Sequence, residues 1–251
     1  MVDFLQLGNW RWTDYPELES TNDEALHLSA ALPENGRIAV TAQRQTKGRG
    51  RRGRSWIGQD GNLFMSLLLH WPLAESGALV FIVSLSLLQT VKKMSPSADV
   101  CLKWPNDVLL NGKKISGILL ETATSGTMVI GIGVNIKSAP ESEDILYAVA
   151  SLRDAGINCS RNSFLKAFLP EFDEVCGIYK ASGMERIIEL WLPWVKGIGG
   201  PITVYMPKAE EKGIFKGIGS DGMLLLETSS GEIKTISAGD VFFDEDKKKE
   251  E

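Results

Sequence analysis

The densest chemistry in the chain lies in "GRGRRGRSW", residues 48–56, where four arginines, three glycines and a tryptophan share nine positions. Between Asn35 and Gln59 there are seven basic residues and no acidic one, in a chain whose formal net charge is -5. Neighbouring like charges repel, so the loop calls for an anion. Arginine-rich segments contact RNA or DNA. Glycines also let a backbone approach a small phosphate ligand, whose oxygens guanidinium groups grip in pairs. The loop alone leaves both readings open, beside the plainer one of a solvated surface loop.

A second cluster narrows the choice. In "KWPNDVLLNGKKISGILLE", residues 103–121, a lysine, an asparagine and an aspartate gather where Pro105 breaks a strand, and Lys113 and Lys114 follow a turn. Alone, Asn106-Asp107 is only a turn after proline and Lys103 an exposed strand residue. Beside the arginine loop, the set reads as cations and a carboxylate assembled around a nucleoside triphosphate and its metal. "GIGVN", residues 131–135, puts two glycines on an apolar strand that ends in an asparagine. It lacks the third glycine and the following helix of a dinucleotide fingerprint. Strand glycines mark close packing or a bend, or thin the backbone so that a flat ring can lie on the sheet. No nucleophilic constellation accompanies these motifs. His27 and His70 are the only histidines, and Cys101, Cys159 and Cys176 show no paired spacing. An odd cysteine count suits a reducing cytosol. Of the seven tryptophans, Trp56 and Trp104 stand out because each adjoins a charged motif.

The elements that must position these residues follow from pattern. A helix is expected over 20–32, with Thr21 as its cap and Glu24 completing a capping box. Strands at 37–43 and 62–70 flank the arginine loop, and 78–94 reads as a buried helix. Residues 100–121 read as strand, break, strand, Asn111-Gly112 hairpin and strand, followed by a strand at 127–136. Helices are expected around 145–152, 163–179 and 184–195. "KGIGGP", 196–201, is a linker signal, and five short strands after it suit a small barrel of roughly 45 residues. The tail "DEDKKKEE" reads as disordered. A chain of 251 residues, 43% hydrophobic and 24% charged, is that of a globular protein with one large domain and room for a small one. Its acidic balance argues against general nucleic-acid binding. No secretory signal pattern opens it, and the longest apolar stretch is too short to span a bilayer. A cytoplasmic protein without a membrane partner is expected.

With "STN" at 20–22, "QTKGRGRRGRSW" at 45–56, "GIGVNI" at 131–136 and "SAGDV" at 237–241, the motifs closely resemble the biotin protein ligases in order and spacing. The resemblance covers nearly the whole chain. It implies an α+β fold: a biotin/lipoate ligase-like catalytic domain over 1–198, with a mixed, mostly antiparallel sheet and flanking helices. An SH3-like β-barrel over 199–244 and a charged tail at 245–251 complete it. The implied enzyme activates biotin with MgATP as biotinyl-5′-AMP. It then transfers the acyl group to a specific lysine of a biotin carboxyl carrier protein, the carrier domain of a biotin-dependent carboxylase. Such chemistry needs no enzyme nucleophile and rests on positioning and electrostatics.

The same resemblance distributes roles. Ser20, Thr21, Asn22 and Gln45 bond the ureido end of biotin. Arg49, Gly50 and Arg51 close over its valeryl chain and the phosphates, Arg54 meets the triphosphate and Trp56 walls the pocket. Lys103 bridges the biotin carboxylate and the α-phosphate, so it serves both substrates. Asp107, Lys114 and Arg51 join it in catalysis, and Asn135 binds the nucleotide and Mg2+. The loop is expected to be mobile when empty and ordered when filled. Only 19 residues precede Ser20, so no DNA-binding domain and no DNA partner are expected; a homodimer is left open. Lys47 departs from the alanine that relatives commonly carry. A lipoate or octanoate ligase shares the fold, but it is not expected to carry "GRGRRGR" followed by "KWPND".

Overall fold

The structure, a computed structural model, describes residues 2–123, 126–140 and 148–243. Its first two strands, β1 (Leu5–Leu7) and β2 (Trp10–Leu18), lie where no pattern was read. Trp10 and Trp12 are buried with period two, while charged residues and Pro16 blur the rest of β2. The parallel register of β2 with β3 (Arg37–Gln45) steps over Pro16, which cannot donate to a ladder.

Helix α1 (Thr21–Ser29) connects β2 and β3. Its cap is Ser20 rather than Thr21: Ser20 is extended and its side chain accepts the Asn22 N–H. Glu24 makes no capping box, because it accepts the Tyr15 hydroxyl at 2.7 Å. After the arginine loop come β4 (Leu63–His70) and α2 (Ala78–Met94). Strands β5 (Val100–Lys103), β6 (Asp107–Leu110), β7 (Lys113–Thr122) and β8 (Thr127–Val134) then complete an eight-stranded sheet. Its order is β1-β2-β3-β4-β8-β7-β6-β5. Only the β2–β3 pair is parallel, so the sheet is mixed and mostly antiparallel.

Alternation along the strands gives the sheet two working faces. Ala39, Leu67 and Ile130 face the main core under α2 and α3 (Arg161–Trp191), whereas Ile38, Val40, Leu68 and Val129 pack with α1 residues. The two helices expected over 163–195 are one run broken at Gly183, where φ is 72°; Leu192–Trp194 is a 3₁₀ turn. The helix expected at 145–152 is absent over 148–152, and 145–147 lie outside the described residues. Val149 instead bridges to Lys114, with Ala148 and Ala150 exchanging backbone hydrogen bonds with that residue. Pairing with the start of β7 satisfies this backbone without a helix.

Beyond the Gly-rich turn, β9 (Pro201–Met206), β10 (Ala209–Ile218), β11 (Leu224–Glu227), β12 (Ile233–Ile236) and β13 (Asp240–Phe243) form an antiparallel sheet. Its order is β12-β11-β10-β9-β13. A bulge between Phe215 and Gly217 bends β10. This sheet packs firmly on the larger part: Trp104 donates to the Gly222 carbonyl at 3.1 Å, and Gly222 lies against Phe81. Among the described residues no helix is long and apolar enough to cross a membrane.

Candidate active site

A cavity of about 480 Å³ opens on the α1 face of the large sheet, a size usual for small-molecule sites. Its floor is thinned by glycine. A Cβ on Gly131 would stand 2.5 Å from Asn22 Oδ1, and one on Gly133 would stand 2.2 Å from the Trp56 indole. Gly133 is also in register with Gly117 of β7, which the same indole covers. The flat ring expected on these glycines is thus supplied by the chain itself.

The closed end is neutral and polar. Gln45 Oε1 accepts the Thr21 N–H at 2.7 Å and the Thr21 hydroxyl at 3.0 Å. Ser66 Oγ joins Thr21 Oγ1 and Asn22 Oδ1, while Asn22 Nδ2 donates to Glu121. Gln45 is left with its Nε2 as a donor, and Ser20, Thr21 and Asn22 are all buried at the start of α1. Such a cluster offers both donors and acceptors to a flat, uncharged ligand group.

The other wall is the arginine loop, and it is pinned. Arg49 and Ser55 pair across it, so the loop is a small hairpin, with Arg51–Gly53 at its tip. Arg49 binds Asp23 in bidentate fashion at 2.8 and 2.6 Å and also touches Glu121. Asp23 is thereby held below the ordinary carboxylate range, chiefly by its hydrogen bond to Arg49. Arg52 and Arg54 both reach Asp240 of β13 at 2.9 Å, and Arg51 donates to Asn106 at 2.8 Å. The absence of acidic residues within 35–59 is therefore offset by carboxylates from distant parts of the chain. Arg51 is partly desolvated, and burial holds its guanidinium below the usual arginine value against the pull of Asp240 and Asp107. Lys47 stays outside the cavity, in an exposed ion pair with Glu19 at 2.7 Å, worth little in stability.

Lys114 and Asp107 also line the cavity, with Nζ 2.7 Å from Oδ1. The β6–β7 ladder slips so that Leu109 opposes Lys114 and Val108 opposes Ser116. The extra residue reverses the alternation. Lys114 consequently lies over Gly117, with its ammonium 5.6 Å from the centre of the Trp56 ring. Lys103 lies elsewhere. It is buried, with its ammonium 5.5 Å from the rings of both Phe242 and Phe243. It lines a recess of about 20 Å³ that Asp107 and Lys114 also line. Lys103 is thus not among the residues that line the larger cavity, although the sequence reading groups it with them.

Ser20, Thr21, Asn22, Gln45, Arg49, Gly50, Arg51, Arg54, Trp56, Asp107, Lys114 and Asn135 do line the cavity. Apart from Asp107 Oδ1, which pairs with Lys114, three buried side-chain polar atoms lack a partner among the described residues, and two of them, Trp56 Nε1 and Asn135 Oδ1, belong to residues of the cavity wall. Buried polar groups are almost always paired, so this concentration marks a place built for a ligand. Four cations and two carboxylates line it, which favours an anion. Sequence reasoning missed Ser66, Asn106 and Asp240. Asn106 and Asp240 lie inside motifs already singled out; Ser66, in an apolar strand, gave no signal. No cysteine lines the cavity, and burial pushes the Cys101 thiol to about 11 and the Cys176 thiol to about 12.

Residues 16–135 match the biotin/lipoate A/B protein ligase family, and residues 197–244 match the biotin protein ligase C-terminal domain. The chain is 36% identical to the biotin–[acetyl-CoA-carboxylase] ligase of Paracoccus denitrificans, over 90% of this chain and 97% of that one. The biotin protein ligase of Aquifex aeolicus in complex with biotin and ATP superposes with a TM-score of 0.79 at 28% identity, covering 94% of this chain and 98% of that one. The biotin protein ligase of Leishmania major in complex with biotinyl-5-AMP gives a TM-score of 0.65 at 25% identity, over 90% and 98%.

Proposed function

The chain belongs to the biotin protein ligases, and we propose on that premise how its residues divide the reaction. It is an ATP-dependent enzyme that activates biotin as biotinyl-5′-AMP and passes the acyl group to a biotin carboxyl carrier domain. In the first half, a biotin carboxylate oxygen attacks the α-phosphorus of ATP and the bond to the β-phosphate oxygen breaks, releasing pyrophosphate. In the second, the neutral amine of the acceptor lysine attacks the acyl carbon. AMP leaves and the amine loses a proton.

The observation that carries the assignment of roles is the division of one cavity into a neutral polar end and a cationic end, joined at Lys114. Ser20, Thr21, Asn22 and Gln45 take the ureido ring of biotin, whose carbonyl needs donors and whose N–H groups need acceptors. Arg49, Gly50 and Arg51 cover the chain that leads from it. Arg54 meets the triphosphate, releasing part of its hold on Asp240. Trp56 forms the wall for the adenine, and Asn135 lies at the nucleotide's edge. Lys114 takes the role expected of Lys103. Its compact ammonium sits where carboxylate and α-phosphate would meet, and a fixed cation there offsets their repulsion and the charge that develops as they join. Asp107 orients Lys114 through their contact, and Lys103 supports Asp107 from behind.

No group of three or more His, Cys, Asp or Glu among the described residues forms a metal cage. The unpartnered Asn135 Oδ1 does fit Mg2+ that arrives with a nucleotide, since this ion takes few protein oxygens beside phosphates and water. When bound it neutralises phosphate charge. We place the boundary between catalytic and C-terminal domains near residue 198, on the strength of the Gly-rich turn and of the separate sheets. The test of the function is direct. With biotin, MgATP and the unmodified carrier domain of a carboxylase, mass spectrometry should find one biotin per carrier. Omitting ATP or replacing biotin by lipoate should abolish it. Labelling that ignores either change would refute the reading.

A further inference from the structure

Asn62 stands where the arginine loop ends and β4 begins, and it is 1% exposed. Its Oδ1 accepts three consecutive backbone N–H groups, those of Ile136, Lys137 and Ser138, at 3.0, 2.9 and 3.3 Å. Its Nδ2 donates to the Ser138 carbonyl at 2.8 Å. Its own N–H is bound by Gln59 at 3.2 Å. Every polar atom of this side chain is thus spent on one turn, the turn that leaves β8.

That turn begins beside Asn135 and leads to Pro140, and both residues line the cavity. Three successive N–H groups aimed at one point form a concavity that attracts anions. Next to a site for a triphosphate, an open concavity would compete for phosphate oxygens. Asn62 fills it with a neutral oxygen, and at the same time holds the backbone that directly follows Asn135, whose own N–H and carbonyl are bound to Ile115 and Leu152. The approach is close, since a Cβ on neighbouring Gly61 would stand 2.6 Å from the Lys137 side chain. The biotin end of the cavity, by contrast, is built from α1, Gln45 and Ser66, none of which is bonded to Asn62.

We propose that Asn62 is a positioning residue for the nucleotide half of the site: it fixes the 135–138 turn so that Asn135 meets ATP, and takes no part in biotin recognition. This deepens the reading that the nucleotide lies against Asn135 and rests on it.

The test uses the full chain, with Asn62→Ala, Asn62→Asp and Asn135→Ala beside the wild type. Biotin-dependent pyrophosphate exchange gives the KM for ATP, and calorimetry without ATP gives the Kd for biotin. Leaving three buried N–H groups without an acceptor should raise the ATP KM of Asn62→Ala about tenfold or more, with biotin Kd changed by less than about twofold. Asn62→Asp keeps an acceptor for the three N–H groups but sets a negatively charged oxygen against the Ser138 carbonyl, so its ATP KM should also rise above wild type with the biotin Kd unchanged; it decides the matter if the alanine variant does not fold. An unchanged ATP KM, or equal weakening of ATP and biotin, would overturn the proposal. Wild-type protein without exchange would instead sink the ligase reading, and an unaffected ATP KM in Asn135→Ala would sink the placement of the nucleotide.

Discussion

Lys114 and Lys103 flank Asp107 in space, yet they face different surroundings: the ligand cavity for one, the rings of Phe242 and Phe243 for the other. Truncating each should therefore do different damage. Lys114→Ala should slow adenylate formation by roughly 10²–10³-fold, the usual cost of losing one preorganised charge donor. Transfer from added biotinyl-adenylate should suffer less, because the two anions are already joined. Lys103→Ala removes a buried cation beside the rings of Phe242 and Phe243, and should lower the thermal midpoint while slowing adenylation less than Lys114→Ala does. Single-turnover rates for both half-reactions, with a melting curve for each variant, separate the two roles. A larger adenylation defect in Lys103→Ala would reverse the assignment.

At the scale of elements, the arginine loop depends on a strand far away in sequence. Asp240 of β13 holds Arg52 and Arg54, while Asp23 of α1 and Glu121 of β7 hold Arg49. Asp240→Ala should free the loop tip, so amides of 50–56 should exchange with deuterium faster in the ligand-free protein. A biotinyl-adenylate analogue should restore protection. Exchange that is the same in wild type and variant would show that Asp240 does not restrain the loop. The elements themselves were largely readable: α2, the β5–β8 run and all five C-terminal strands lie where hydrophobic period and turn residues put them. The site was readable as a set of motifs because each motif is local. Its wiring was not. The carboxylates that neutralise the loop come from three other elements, and the slip beside Leu109 that turns Lys114 inward leaves no mark in the alternation of β7. The apolar residues around 148–150 suit a helix or an extended segment, and only pairing with Lys114 decides between them.

Across the whole molecule, the two sheets share one continuous core: Phe81, Trp104 and Trp191 belong to the same cluster as Val204, Phe215 and Phe243. Buried contact on this scale couples stability. Calorimetry should show a single unfolding transition for both sheets; two separated transitions would mean that the C-terminal part folds and melts alone. The coupling also explains how a small appended sheet bears on chemistry, since it supplies Asp240 to the cavity and the rings behind Lys103. We infer that this one cavity joins biotin to ATP before any carrier protein is engaged. Exchange of labelled pyrophosphate into ATP, measured on the purified protein with no carrier present, tests it most directly. Exchange should require biotin and not be supported by lipoate; no exchange with biotin, or equal exchange with lipoate, would contradict this.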